Sequence, residues 1–238
     1  MKPKAFVRGF TVKNKQCYNS AMDYSQHKEY YKTAYRNGAD IWTHLPVKIK
    51  GAKKLVAQMP KGGSILDLGS GRGFIAKHLA DIGFKVIGID FEGEMLSKIN
   101  EEVKSWGLEG KLKFVEADVM KLPFVDNSFD GICDFGLLEN LYKEDWKTYA
   151  NEINRVLKPG GFYLNVSLSR KTVNFLNFSP INSLDGELNK HDMHYHFFEK
   201  EEMQNIFQNT MTMVSDSVEF IEEPIELALL QTLFEKKK

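Results

Sequence analysis

The sequence predicts an α/β protein with a doubly wound, mostly parallel sheet. Two observations carry that prediction. From Ser64 onward, short apolar, β-prone runs alternate with longer runs of helical period. Between them stand Gly, Pro, Asn and Asp clusters that punctuate the chain. Parallel strands need a crossover between them, so this alternation puts helices on both faces of the sheet. A length of 238 residues and a hydrophobic content of 42% suffice for one such domain, read here as residues 1–238.

The elements follow in order. After an irregular start, "DYSQHKEYYKTAYRNG" predicts a helix, with Tyr24, Tyr31 and Tyr35 near helical spacing and Gly38 to end it. Pro46 opens a second helix with Ala52, Leu55, Val56 and Met59 on its apolar stripe. "SILDLG" is a strand and "RGFIAKHLADIG" a helix; "KVIGID" is a strand and "EGEMLSKINEEVKSWG" a helix closed by Gly107. "KLKFVEAD" and "FDGICDFG" are strands, "KEDWKTYANEINRVL" a helix, "KPGG" a turn and "FYLNVSL" a strand. Ser169–Lys190 breaks the rhythm with Asn, Ser, Pro180 and Gly186, and is expected to be an inserted loop. A helix, "EKEEMQNIFQN", follows. Two β-prone runs close the chain, and with no long helix between them they are expected to pair antiparallel.

Lys+Arg and Asp+Glu both number 32, so no net charge draws the chain toward nucleic acid. The most basic stretches, "MKPK", "VKNK" and "EKKK", read as solvated ends. Cys17 and Cys133 form no motif, which points to a reducing compartment and a cytoplasmic location. No apolar leader and no apolar run long enough to span a bilayer stands out, so no membrane partner is expected.

The chemistry starts at "DLGSGRG". A dinucleotide fingerprint needs G-x-G-x-x-G, but Gly69, Gly71 and Gly73 give G-x-G-x-G, and Phe74 stands where the third glycine belongs. Asp67, two residues ahead, would repel a pyrophosphate and suit a cation. The turn Gly69–Ser70–Gly71 lets the backbone approach a ligand and leaves a helix N-terminus open for a carboxylate. Asp90 ends the next strand and can accept from both ribose hydroxyls, with Phe91 beside it to pack on a base. Asp118 can accept from an adenine amino group and the Val119 amide can donate to a ring nitrogen. Three acids at three strand ends describe a site for a cationic, phosphate-free nucleoside, and S-adenosylmethionine is such a ligand.

On these residues the sequence resembles a class I S-adenosylmethionine-dependent methyltransferase of the small-molecule kind. "ILDLGSGRG" resembles the family's glycine motif, "VIGID" its ribose strand and "EADVMKLPF" its adenine segment. "FDGICDFGLLENL" and "INRVLKPGGFYLNVS" are similar to its fourth- and fifth-strand motifs. The resemblance spans Val47 to Leu168 and implies a Rossmann-like, seven-stranded sheet whose last strand is antiparallel. It implies S-adenosylmethionine as cofactor and S-adenosylhomocysteine as product. It also implies a cap over the cleft from residues 1–45, where Trp42 and His44 can line it; the stretch that breaks the rhythm is expected as an insertion over the same cleft, residues 169–198. Asp134, in the fourth-strand motif, is implied near the methionine moiety and the transferable methyl. Asn140 stands where the family commonly has a histidine.

Catalytic groups are harder to read, because in-line transfer from a sulfonium is mostly proximity catalysis. Asp134, His191 and His194 are the candidates. In "HDMHYHFF", His194 and His196 share one face if extended, as metal ligands do, with His191 and Asp192 nearby; no second ligand pair exists elsewhere, so no metal is expected. The alternative is a loop anchored by Phe197 and Phe198. The Asn/Asp-Pro-Pro-aromatic motif of amino-directed nucleic-acid enzymes is missing, as is a Pro-Cys nucleophile, and "FYLNVS" lacks the acid of metal-dependent catechol-type enzymes. A small-molecule acceptor is therefore expected, on a monomer or homodimer. The alternatives are a protein or RNA acceptor, with the basic ends as docking arms, and a non-catalytic partner subunit.

Overall fold

In a computed structural model of the chain, residues 22–191, 193–222 and 226–238 are described, with the side chains of Ile41 and His44 set aside. Cys17, Asp192 and the basic stretches "MKPK" and "VKNK" lie outside them. The elements are α1 (Ser25–Asn37), α2 (Pro46–Val56), β1 (Ser64–Leu68), α3 (Phe74–Asp81), β2 (Lys85–Asp90), α4 (Gly93–Ser105) and β3 (Leu112–Glu116). They continue with β4 (Phe129–Phe135), α5 (Lys143–Val156), β5 (Leu157–Leu168), β6 (Glu187–Lys190), β7 (Met193–His196), α6 (Lys200–Phe207), β8 (Met211–Ile221) and β9 (Leu227–Lys236).

Seven strands form one sheet in the order β3-β2-β1-β4-β5-β9-β8. The first five are parallel, and β9 enters antiparallel between β5 and β8. This is the Rossmann-like sheet that the alternation and the family resemblance predict. The central parallel strands are buried on both faces, and their residues alternate between two cores. Ile65, Val86, Cys133 and Leu164 face one core with α2, α3 and α4. Leu66, Ile87, Ile132 and Tyr163 face the other with α5 and α6.

Two details differ from the sequence-based expectations. "KPGG" is no free turn: β5 starts at Leu157, opposite Phe129, and an irregular register carries it to the Gly131–Phe162 pair. The irregularity absorbs the extra residues as a bulge does, without ending the strand. The segment after β5 is more than a loop, since it folds into the antiparallel β6–β7 ribbon. Phe197 and Phe198, just after it, are fully buried and tie the ribbon to both cores.

The strand order reverses between β1 and β4, whose neighbouring strands leave in opposite directions. Crossovers to opposite faces leave a crevice there at the carboxyl ends of the strands. The glycine turn after β1 opens onto it.

Candidate active site

The glycine turn is held by its backbone. Gly69, Gly71 and Gly73 all adopt positive φ, at 62°, 51° and 75°. A Cβ at Gly71 would fall 2.8 Å from the Tyr35 hydroxyl, so α1 approaches the turn as closely as glycine permits. The Ser70 amide donates to the Ile89 carbonyl at 2.8 Å and ties the turn to β2.

Asp90 fixes the same turn. One carboxylate oxygen accepts from the Gly71 amide at 2.9 Å and the other from Glu92 at 3.2 Å. Burial pushes its pKa up against the pull of these amides. Its remaining lone pairs are what two ribose hydroxyls require.

Asp67 has a different environment. It is buried at the end of β1, and its Oδ1 accepts from the Cys133 thiol at 3.5 Å. Its Oδ2 is buried with no hydrogen-bond partner among the described residues. Burial pushes its pKa up to about 7, against the attraction of Lys48. A buried carboxylate oxygen left unpaired costs about 1–3 kcal/mol or more. An ammonium group bound beside it would remove that penalty, and the residues therefore fit the methionine part of S-adenosylmethionine.

Asp67, Gly69, Ser70, Gly71, Asp90, Phe91, Asp118 and Val119 all line one cavity of about 420 Å³. Asp118 lies two residues beyond β3 and accepts from the Met120 amide at 2.9 Å. The cavity is within the range of small-ligand sites.

The rest of its wall comes from other segments. Tyr24, Tyr31 and Tyr35 of the α1 region line it, joined by Trp42, Phe135, Phe175, Leu176 and Tyr195. Tyr31 meets Trp42 edge to face at 5.5 Å and Phe91 at 6.3 Å between ring centroids. Residues from both segments implied as covers thus reach the same cavity as the glycine turn.

Polar clamps fasten these covers. The Tyr31 hydroxyl donates to the Asn140 side-chain oxygen, and the Asn140 amide donates to the His194 carbonyl at 3.2 Å. His27 accepts from the His194 backbone amide at 3.0 Å, which joins α1 to β7. The Tyr24 hydroxyl bridges the Asp145 carboxylate and the Tyr142 amide, both at 3.0 Å. At the other end, Arg72 donates to Asp40 at 2.7 Å and to the Tyr35 carbonyl. Asn140, where the family commonly has a histidine, works here as a fastener.

The three catalytic candidates from the sequence do not line the cavity. Asp134 is a buried peg. It accepts from the Leu137 and Leu138 amides at 2.8 and 3.1 Å, from the Tyr149 hydroxyl at 2.5 Å and from Asn165 at 3.2 Å. Both oxygens accept hydrogen bonds from the loop after β4 or its neighbours, so the carboxylate shapes that loop. His194 and His196 do share one face of β7, but that face packs on aromatic rings. His194 stacks on Tyr142 at 4.5 Å, and burial pushes its pKa down to about 4. His196 packs on Trp146 and Phe198 and pairs with Glu202 at 2.7 Å. His191 sits exposed at the ribbon's turn with φ 55°. Among the described residues no cluster of three or more His, Cys, Asp or Glu side chains could hold a metal.

Lys48 of α2 and Glu139 of the short helical turn Leu138–Asn140 are among the lining groups that escaped the sequence reading. A lysine in "VKIKGAKKLV" reads as one of several solvated charges. Glu139 carried a fainter signal, as a lone acid inside the apolar run "GLLENL".

A family model for a methyltransferase domain matches residues 65–161. A ubiquinone/menaquinone biosynthesis C-methyltransferase of Pseudomonas fluorescens is 32% identical over 136 residues, 56% of this chain and 49% of that protein. A sterol 24-C-methyltransferase of Gibberella zeae is 35% identical over 103 residues, 43% of this chain and 27% of that protein. The chain thus spans about half or less of the length of these curated relatives. A solved structure of Burkholderia thailandensis 1,6-didemethyltoxoflavin-N1-methyltransferase, with 1,6-didemethyltoxoflavin and S-adenosylhomocysteine bound, covers all of both chains. Its TM-score is 0.74 at 20% identity, which is a likeness of fold.

Glycine turn, strand-end acids, sheet order and sequence matches agree on one class, the class I S-adenosylmethionine-dependent methyltransferases. Residues 65–161 match the methyltransferase-domain model, and the chain is similar in sequence to members of that class.

Proposed function

We propose that this protein transfers a methyl group from S-adenosylmethionine to a small molecule held in the same cavity. One observation carries the reading. The wall that fits the cofactor and an aromatic wall drawn from α1, Trp42, Phe175 and Tyr195 enclose a single continuous space. The relatives are named for ubiquinone/menaquinone biosynthesis, for a sterol and for 1,6-didemethyltoxoflavin, all of them small molecules.

Each cofactor-site residue has a role. Asp90 takes the ribose hydroxyls, Phe91 packs on the adenine, and Asp118 and the Val119 amide read the adenine edge. Asp67 faces the ammonium, and Gly69, Ser70 and Gly71 let the backbone come close. Bound there, S-adenosylmethionine supplies a methyl already activated by the sulfonium charge. The protein's task is then to align the acceptor with that methyl and to exclude water, for which Tyr31, Trp42 and Tyr195 are placed. We read the segments 1–45 and 169–198 as covers, a role carried among the described residues by Tyr31, Tyr35, Trp42, Phe175, Leu176 and Tyr195. No helix among the described residues is long and apolar enough to cross a membrane. A cytoplasmic location is in keeping with the free, buried Cys133, and the enzyme is read as a monomer or homodimer.

The test is a turnover screen. The full chain is incubated with S-adenosylmethionine and fractionated metabolite pools, and S-adenosylhomocysteine is quantified. Release that depends on a small-molecule fraction is the expected result. Release that follows only a protein or RNA fraction would contradict it.

A further inference from the structure

Glu139 and Lys48 both line the cavity, and neither is needed to hold the cofactor as described. The Glu139 carboxylate is pinned by one oxygen, which accepts from the Leu168 amide at 2.6 Å at the end of β5. The other oxygen makes no hydrogen bond among the described residues. It lies over Gly136, where an added Cβ would sit 3.4 Å from it. Asp134 organises this loop by taking the Leu137 and Leu138 amides, so the carboxylate is placed by a rigid support. Lys48 carries no salt bridge within 4 Å among the described residues, yet it lies within electrostatic reach of both Asp67 and Glu139. Tyr31 and Tyr195, which also line the cavity, lie within electrostatic reach of Glu139.

Resting on the methyltransferase reading above, we propose that Glu139 is the general base for the acceptor, and that the acceptor is a flat, largely apolar molecule bearing one weakly acidic O–H or ring N–H. The aromatic side chains face the flat body, and Lys48 faces the charge that develops on the acceptor atom. The step balances. The acceptor's O–H or N–H bond breaks and its proton goes to the free oxygen of Glu139. The electron pair left behind forms the new bond to the methyl carbon. The carbon–sulfur bond breaks with its pair on sulfur, leaving a neutral thioether.

The groups around Glu139 support this role. Burial pushes its pKa up to about 8, with Asp134 adding to the shift and the Leu168 amide and Lys48 opposing it. The groups facing it are Lys48 from α2, Asp134 from β4, Tyr31 from α1 and Tyr195 from β7. A base of this strength is matched to a weakly acidic acceptor near neutral pH.

The experiment uses the full chain, S-adenosylmethionine and three probe sets: phenols graded in acidity, benzimidazoles, and aliphatic amines of similar size. Calorimetric S-adenosylmethionine binding is measured first; its absence would sink the methyltransferase reading itself. With binding intact, turnover of the aromatic probes and little of the amines is expected. Glu139→Gln, which keeps an oxygen for the Leu168 amide, should lose about a hundredfold or more in kcat/KM on probes protonated at the assay pH. On a phenol already ionised, the loss should shrink below about tenfold, because no proton remains to be taken. Should that variant fail to bind cofactor, the wild-type pH profile decides. A shared base gives kcat/KM an inflection at one pH for every protonated probe. Inflections that track each probe's own acidity, equal losses across probes in Glu139→Gln, or turnover of amines alone would overturn the proposal.

Discussion

The two walls of the cavity are built in different ways. The cofactor wall is made by consecutive residues at strand ends, with the backbone as its main instrument. Gly71 is left-handed, Asp90 caps its amide, and β1 and β2 fix both. The wall proposed to face the acceptor is assembled from α1, α2, the loop after β4 and the inserted ribbon, and side chains hold it together. Tyr31, Asn140 and the His194 carbonyl form one such chain of contacts. A wall made of sheet geometry tolerates little change and announces itself locally. A wall made of distant side chains can be rebuilt for a new acceptor without disturbing the sheet.

Four changes probe that contrast. The largest effect is expected from Asp134→Ala. It leaves the Leu137 and Leu138 amides without their acceptor and removes the Asp134 partner of the Tyr149 hydroxyl, so stability should fall by about 3 kcal/mol or more in urea unfolding. Lost cofactor affinity at unchanged stability would instead return Asp134 to the cofactor wall. Next comes Asp90→Ala, which should weaken S-adenosylmethionine binding by roughly 1.5–3 kcal/mol in calorimetry. Unchanged affinity would show that the ribose is held elsewhere.

The third effect is pH-dependent. Burial raises the pKa of Asp67 to about 7 in the free protein, above the unfolded value. A carboxyl raised in this way favours the folded state at low pH, and that contribution fades as pH climbs from about 4 to about 7. The cationic ligand needs the ionised form, so binding expels the proton. Affinity for S-adenosylmethionine should therefore rise by up to tenfold, about 1.4 kcal/mol, per pH unit below about 7 and then level off. A flat profile in Asp67→Asn beside a sloping wild type would assign the slope to this residue. A slope that persists in the variant would assign it elsewhere. The smallest effect is expected from Asn140→Leu, which removes one of the links between α1 and the ribbon and leaves the His27–His194 contact in place. The loss is about 1 kcal/mol per hydrogen bond. It should show as faster amide exchange in α1 with little change in β1 and β2. Equal loosening of both walls would erase the contrast.

The same contrast explains how much the sequence shows. Asp67, Asp90 and Asp118 stand at strand ends, and period and turn residues locate strand ends well. Their gathering at one edge follows from the topology, which the alternation predicts. Asp134 also stands near a strand end, but its partners Tyr149 and Asn165 come from α5 and β5, and no local pattern shows that they saturate it. In "HDMHYHFF" the alternation of one face was readable. What was not readable is that this face packs on Tyr142 and Trp146, leaving Tyr195 to meet the cavity. Glu139 and Lys48 meet only through the fold, with about ninety residues of chain between them.

The account rests most heavily on the cofactor wall being built for a cationic nucleoside without a pyrophosphate. Calorimetric titration of the full chain with S-adenosylmethionine, and separately with NAD, tests that most directly. One S-adenosylmethionine site per chain, proton release on binding at pH 6, and no heat with NAD is the predicted result. Tight NAD binding with no response to S-adenosylmethionine would contradict it.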